Sequence, residues 1–397
     1  MNKKKILCFC LALGAFSAMM AQETLSLSQC LQMAVENNLS LQKSRNEIAK
    51  GKYSISENQA KLLPQINAVA QLNDNFTPPV SVTDGSAYGK PYNVTKTLQY
   101  NASAGLQLQM PLYNQMVNTA IDIAKIADHL NQLSYEKARE DLIVQTAKMY
   151  YMAQNTAEQI RLVNDNIKRL EELYGITQAF YDNQMSLEVD VKRVKLNIEN
   201  LTVQRDNAIA MLDQQYTMLK YVIDYPAEKQ IKVSDVNPGE IETVNANGLN
   251  TNLYELQLLE KRKELAQKQT KLAKDGYLPS VSLTGSLMYS AFTDKIEHWI
   301  HSGESNHWYG SNGIGIQLRV PVFDGFEKRS KIRRAKMEEE NARIGYEDAL
   351  KGMQANYMNA VSEVNNSQRN YKKQFDNYSL AQDVYSVTAD QYKEGVG

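Results

Sequence analysis

Between Pro111 and Pro226 the chain holds no proline and one glycine, Gly175, and its apolar residues advance in alternating steps of three and four. Ile160, Val163, Ile167, Leu170 and Tyr174, then Leu187, Val191, Val194, Ile198 and Leu201, trace the 3.5-residue seam of a coiled coil. Arg205 and Gln215 fall on the extrapolated seam as its exceptions. From Gln115 to Asp182 the pattern predicts a single helix, roughly 100 Å long at about 1.5 Å per residue. Such a helix exceeds an ordinary globular domain and reads as extended scaffold. The segment "YDNQMSLEVD" interrupts it. Asn183 is expected in the left-handed conformation. Ser186 is expected to cap a second helix whose first turn carries Glu188 and Asp190. The two helices therefore form a hairpin.

Four other segments alternate with period two, at about 65–73, 99–110, 280–290 and 312–321. In them Leu106, Leu108, Ile314, Ile316, Leu318 and Val320 interleave with residues such as Gln107, Gln317 and Arg319. One apolar and one polar face suits a half-buried soluble sheet or a barrel wall with lipid outside and a wet lumen. The segments between the strands of each pair, Asp74–Thr97 and the stretch around "IEHWIHSGESNHWYGSN", are expected to be exposed polar loops. Trp299, Trp308 and Tyr309 suit a membrane–water boundary or an exposed loop.

The chain repeats one plan: helix, strand pair, long helix. Pro64 matches Pro279, Pro111 matches Pro321 and Tyr181 matches Tyr392, each at a shift of about 210 residues, the signature of a tandem duplication. The expected organisation is a leader at 1–21, a first repeat at 22–224, a connecting segment at 225–250 and a second repeat at 251–397. The second repeat ends where the first continues through a return helix.

Residues 1–21 have a basic start (Lys3, Lys4, Lys5), an apolar run from Ile6 to Phe16 and a small residue before Gln22. They read as a secretory signal peptide. Its removal takes the net charge from −1 to about −4 and leaves Cys30 as the one cysteine. An internal disulfide is then excluded, and a mildly acidic, mixed surface argues against nucleic acid. Gln29 stands where a lipidation signal needs a small residue, so Cys30 reads as a buried apolar side chain. After the leader no run of eighteen apolar residues occurs, so a membrane could be spanned only by a closed barrel.

Catalytic chemistry is missing from the pattern. No phosphate loop, nucleophile elbow or convergent carboxylate pair is visible. His298, His301 and His307 have metal-like spacing but sit in a loop without a nearby cysteine, and a solvated loop is the simpler reading. No metal, no cofactor and no enzymatic activity are expected. Glu338, Glu339 and Glu340 read as a solvated helix face.

The order of motifs resembles the TolC-like outer membrane efflux protein (outer membrane factor) family over essentially the whole mature chain. "LSLSQCLQMAVENNLSLQKSRNEIAKGKYSISENQAKLLPQINAVA" is similar to that family's opening helices and its step into the first strand. "MPLYN" and "VPVFDG" are similar to its strand-to-helix transitions, and "YDNQMSLEVDV" to the tip of its periplasmic hairpin.

The resemblance implies a mainly α fold with a β-barrel part. Long coiled-coil-like helices would form a periplasmic tube, and each protomer of a homotrimer would give four strands to a twelve-stranded outer-membrane barrel. It implies passive export of small molecules or proteins, with a periplasmic adaptor, an inner-membrane pump and outer-membrane lipid as partners. The adaptor contact would lie at Tyr181, Asn183, Gln184, Met185, Ser186 and Asp190, with Tyr392, Gly395, Val396 and Gly397 in the second copy. Gln184 stands where the family usually has glycine. The resemblance also places gating residues and a return helix beyond Gly397, so that the native protein is expected to continue for about 40–60 residues, the length of the first copy's return helix. The alternative from another class is a non-transporting secreted coiled-coil scaffold or adaptor-like protein.

Overall fold

The computed structural model describes residues 23–236, 248–295, 297 and 308–393. The chain divides into two compact units, one drawn from 1–47, 132–255 and 351–397, the other from 48–131 and 256–350. Each copy of the repeat thus contributes to both units.

In the first unit, strand β1 (Glu23–Leu25) leads into helix α1 (Leu27–Asn37). Ser26 and Gln29 form a capping box there. The Gln29 amide donates to Ser26 Oγ at 3.3 Å and the Ser26 amide donates to Gln29 Oε1 at 2.8 Å. The break at Asn38 is built by its own side chain. Its Oδ1 accepts from the amides of Ser40 and Leu41, capping helix α2 (Leu39–Ala60), while Nδ2 donates to the Val222 carbonyl at 2.9 Å.

The hairpin helices are α3 (Gln115–Asp182) and α4 (Glu188–Val222). On the three-four seam Val163, Ile167, Val191, Ala208 and Leu219 are buried, whereas Leu187, at the start of its second half, is exposed. The two exceptions are accommodated differently. Arg205 turns its guanidinium to Asp206, at 2.8 and 3.0 Å. Gln215 Oε1 is buried without a hydrogen-bond partner.

Beyond α4, strand β6 (Ile231–Val233) pairs in parallel with β1, so the connecting segment carries a strand that periodicity did not show. Leu25, Cys30, Ala34, Leu41, Tyr150, Leu219, Ile223 and Ile231 form the core around this pair. Cys30 is fully buried, as its reading as a small apolar residue required. Burial pushes its thiol up to about 11. The Tyr150 hydroxyl donates to the Leu25 carbonyl and accepts from the Ser234 amide, both at 3.1 Å. It closes the end of the two-stranded ladder.

The second unit holds strands β2 (Gln65–Asp74), β3 (Val80–Asp84), β4 (Tyr92–Lys96), β5 (Tyr100–Tyr113), β7 (Ser280–Thr293) and β8 (Trp308–Arg319). Helix α5 (Tyr254–Asp275) leads into β7, and α6 (Glu327–Lys393) follows β8. The antiparallel sheet order is β2-β5-β7-β8. The element lengths repeat: α2 and α5 have 22 residues each, and α3 and α6 have 68 and 67. Below the sheet Thr119 Oγ1 donates to the buried Asp275 carboxylate, and Lys268 pairs with Asp122 at 2.8 Å. Among the described residues no helix is long and apolar enough to cross a membrane.

Within Asp74–Thr97, expected as a loop, β3 and β4 form a hairpin with Val82 opposite Val94. Its turn needs Gly85, where a Cβ would lie 2.6 Å from the Tyr92 backbone.

Candidate functional site

Pairing register sorts the four-stranded sheet into two faces. Ile66, Leu108, Gly285 and Ile314 share one row, and Ala68, Leu106, Leu287 and Asn312 the next. Met110, Leu283 and Ile316, then Val281 and Leu318, continue the same face, which at the other end reaches Leu72, Ala102, Ala291 and Trp308. Ile314, Ile316 and Leu318 are 76%, 71% and 63% exposed, so this apolar surface is uncovered within the chain. Ten residues of β8 separate the Trp308 and Leu318 rows. At about 3.4 Å per residue and a tilt near 40° they span about 26 Å of height, close to the about 25 Å apolar band of an outer-membrane barrel. Tyr289 lays its ring against Gly310, where a Cβ would come within 3.2 Å.

Val320 belongs to no strand. β8 ends at Arg319 because its partner there is Ser280, preceded by Pro279, which has no amide to extend the ladder. Val320 is exposed beyond the sheet.

The opposite face is mainly polar and nearly uncharged, with Val69, Met288 and Phe292 as apolar members. Gln65, Gln109 and Thr284 form one row, and Asn67, Gln107 and Ser286 the next, with Gly315 and Gly313 completing them on β8. These rows line a cavity of about 450 Å³. In the four strands only Asp74 and Arg319 carry charge. Asp74 lies at one end of the sheet, where its Oδ1 accepts from Gln99 at 3.0 Å. Arg319 lies at the other end, on the polar face beside Gln317.

The hairpin turn gathers Tyr181, Asn183, Gln184, Met185, Ser186 and Asp190. α3 closes with a Schellman motif: the Met185 amide donates to the Phe180 carbonyl and the Gln184 amide to that of Tyr181, both at 2.8 Å. That bond pattern puts the left-handed residue at Gln184 (φ 59°), correcting the expectation for Asn183. The Asn183 side chain instead donates to the Ala179 carbonyl at 2.8 Å. Ser186 does not cap α4 either. Its hydroxyl donates back to Thr177 O at 3.4 Å, and Leu187 takes the capping position without a side-chain hydrogen bond. Asp190 meets Arg193 at 3.2 Å. Met185 is 74% exposed and Leu187 69%, an apolar tip on a polar hairpin.

A second Schellman motif ends α4, with Asp224 (φ 52°) in the left-handed place that glycine usually fills. Tyr392 lies in the last turn of α6, and Gly395, Val396 and Gly397 lie outside the described residues. His298, His301 and His307 lie outside them too, and no cluster of three His, Cys, Asp or Glu side chains suited to a metal occurs among the described residues.

The family profile described as Outer membrane efflux protein matches residues 30–219 and 250–397. Outer membrane protein TolC of Escherichia coli is 24% identical over 336 residues, covering 82% of this chain and 64% of its own length. This chain thus spans just under two thirds of that relative. The probable efflux pump outer membrane protein TtgC of Pseudomonas putida is 19% identical, covering 94% of this chain and 75% of its own. Among solved structures, outer membrane protein VceC of Vibrio cholerae superposes with a TM-score of 0.73 at 15% identity, covering 94% of this chain and 86% of its own. The MtrE outer membrane channel of Neisseria gonorrhoeae gives 0.67 at 19% identity, covering 93% and 80%. These likenesses show the fold, that of an outer-membrane channel protomer with long tube-type helices and a barrel-type sheet.

Proposed function

The chain belongs to the outer membrane efflux protein family, and from that membership and the two faces of its sheet we propose that it is the outer-membrane channel component of a tripartite efflux or type I secretion system. The observation that carries the reading is the four-stranded sheet with an uncovered apolar face on one side and mainly amides, hydroxyls and glycines on the other. That division suits lipid outside and water inside. Among the described residues both sheet edges, β2 and β8, are unpaired, so the sheet would close with strands from other copies to lie in lipid. Three copies give twelve strands, as the family resemblance implies. Leu106, Leu108, Ile314, Ile316 and Leu318 then meet lipid, and Gln107, Gln317 and Arg319 line the lumen. The α3–α4 turn, with its exposed Met185 and Leu187, is the periplasmic end offered to an adaptor, which links the channel to an inner-membrane pump. Transport is passive, as the family resemblance implies, with the energy supplied by the pump. The cargo is small molecules or proteins.

Extraction of the full chain from outer membranes tests this. A detergent-soluble trimer that changes mobility on heating, and that conducts ions in planar bilayers, is the expected result. Release by salt or urea without detergent, with no conductance, would return the chain to the scaffold reading.

A further inference from the structure

Arg319 is the sole charge on the polar face of the sheet. It closes β8 opposite Ser280, and among the described residues no carboxylate pairs with it. We propose that Arg319 sets the charge preference of the barrel lumen, making the strand wall favour anions and anionic solutes over cations. The proposal rests on the lumen assignment above.

The neighbouring residues leave its field uncompensated. Gln317, Ser282 and Gln109 on the same face are neutral, and Asp74 sits at the far end of the sheet on the other face. The nearby acid Asp324 is already engaged by the Lys328 ammonium at 2.9 Å and the Lys328 amide at 3.0 Å. A closed sheet of twelve strands has a backbone radius of about 12 Å at ordinary strand spacing and tilt. An extended Arg side chain therefore places its guanidinium within one Debye length, about 8–10 Å, of the pore axis. Symmetry puts one such group from every copy at the same height. At about 6 Å from the axis, three screened unit charges enrich a monovalent anion there roughly fivefold. The amide and hydroxyl rows farther along the wall hydrogen-bond a passing solute without regard to its sign.

The full chain is reconstituted in planar bilayers under a potassium chloride gradient, and the reversal potential gives the chloride-to-potassium permeability ratio. A ratio above one is expected. It should fall towards one in Arg319→Gln, stay near the parent value in Arg319→Lys and invert in Arg319→Glu. Arg319→Cys guards against a folding defect, because a charged methanethiosulfonate reagent is added after assembly. A cationic adduct should restore the anion preference and an anionic adduct should invert it. The native Cys30 is fully buried and stays out of that reaction.

Leu318→Cys separates the two ways of failing. If position 318 reacts from the aqueous lumen and position 319 does not, the lumen assignment is wrong and the proposal falls with it. If position 319 reacts and the ratio stays unchanged with either adduct, the assignment stands and the proposal is overturned.

Discussion

Leu106→Arg and Gln107→Arg place the same charge on adjacent residues of the central strand β5, on opposite faces. The Leu106 row meets β8 at Asn312, four residues from the Trp308 row and six from the Leu318 row. At about 2.6 Å of height per tilted residue, Leu106 lies about 10 Å from one rim of the apolar band and about 16 Å from the other. Both distances exceed what an arginine spans, so the guanidinium cannot snorkel to an interface. Near the midplane a lipid-facing Arg costs about 2–4 kcal/mol per chain, or roughly 30- to 900-fold in the equilibrium between assembled and unfolded protein. Gln107 shares its row with Asn67, Ser286 and Gly313, and an Arg there enters water at a cost within about 0.5 kcal/mol. Urea titration of each variant refolded into lipid vesicles measures the difference directly. Equal losses for the two variants, or a larger loss for Gln107→Arg, would refute the assignment of faces.

Gln184→Gly should stabilise the hairpin turn. A left-handed non-glycine residue costs about 1–2 kcal/mol and glycine's extra unfolded freedom takes back about 0.5–1, so slower amide exchange at Met185, whose amide closes the turn, is expected. Tyr150→Phe removes the hydroxyl that serves both Leu25 and Ser234 and should cost about 1 kcal/mol in denaturant titration, since Ser234 also bonds Leu25 directly. The Cys30 thiol, raised to about 11 from its ordinary 9.0, contributes stability that is complete below pH 9 and lost as pH climbs towards 11. It should resist maleimide at pH 7 until the protein unfolds, and ready labelling of the native chain would contradict its burial.

The elements with a strong period were legible in the sequence. Ile160 through Leu201 predicted the hairpin seam, and Val163, Ile167 and Val191 are buried on it. Pro64 and Pro279 each stand directly before a strand, as the repeat required. Short elements were not legible. Three residues of β1 and three of β6 carry no measurable alternation, and their pairing depends on a partner over 200 positions away. The β3–β4 hairpin has its signal in "VSVTD" and "YNVTK" around Gly85, but the surrounding proline and glycine favoured a loop. At the tip, residue preference favoured Asn183 for the left-handed place, whereas the Schellman hydrogen bonds fix that place at the residue after it. The family resemblance had marked position 184 as a glycine position, and that was the clue to its backbone.

The repeat also predicts how the sheet closes. Inside one chain, the second strand of the first copy, β5, pairs antiparallel with the first strand of the second copy, β7, and Leu106 stands opposite Leu287. The remaining edges are the second strand of the second copy, β8, and the first strand of the first copy, β2. In lipid, each unpaired amide and carbonyl of an edge costs several kcal/mol, so β8 must find a β2, and geometry allows it only on another chain. If that joint copies the internal one, the shift between Pro111 and Pro321 carries Leu106 to Ile316, and the shift between Pro64 and Pro279 carries Leu287 back to Leu72. Directly opposed residues sit about 4.5–5.5 Å apart at Cα, within disulfide reach. Ile316→Cys combined with Leu72→Cys should therefore link chains into a covalent ring under mild oxidation, seen as a reducible ladder ending at the trimer. A bond between Ile316→Cys and position 70 or 74 instead would mean a register slip of two residues. No bond at any of the three positions, in protein that assembles, would show that the joint between chains is not a copy of the joint within one.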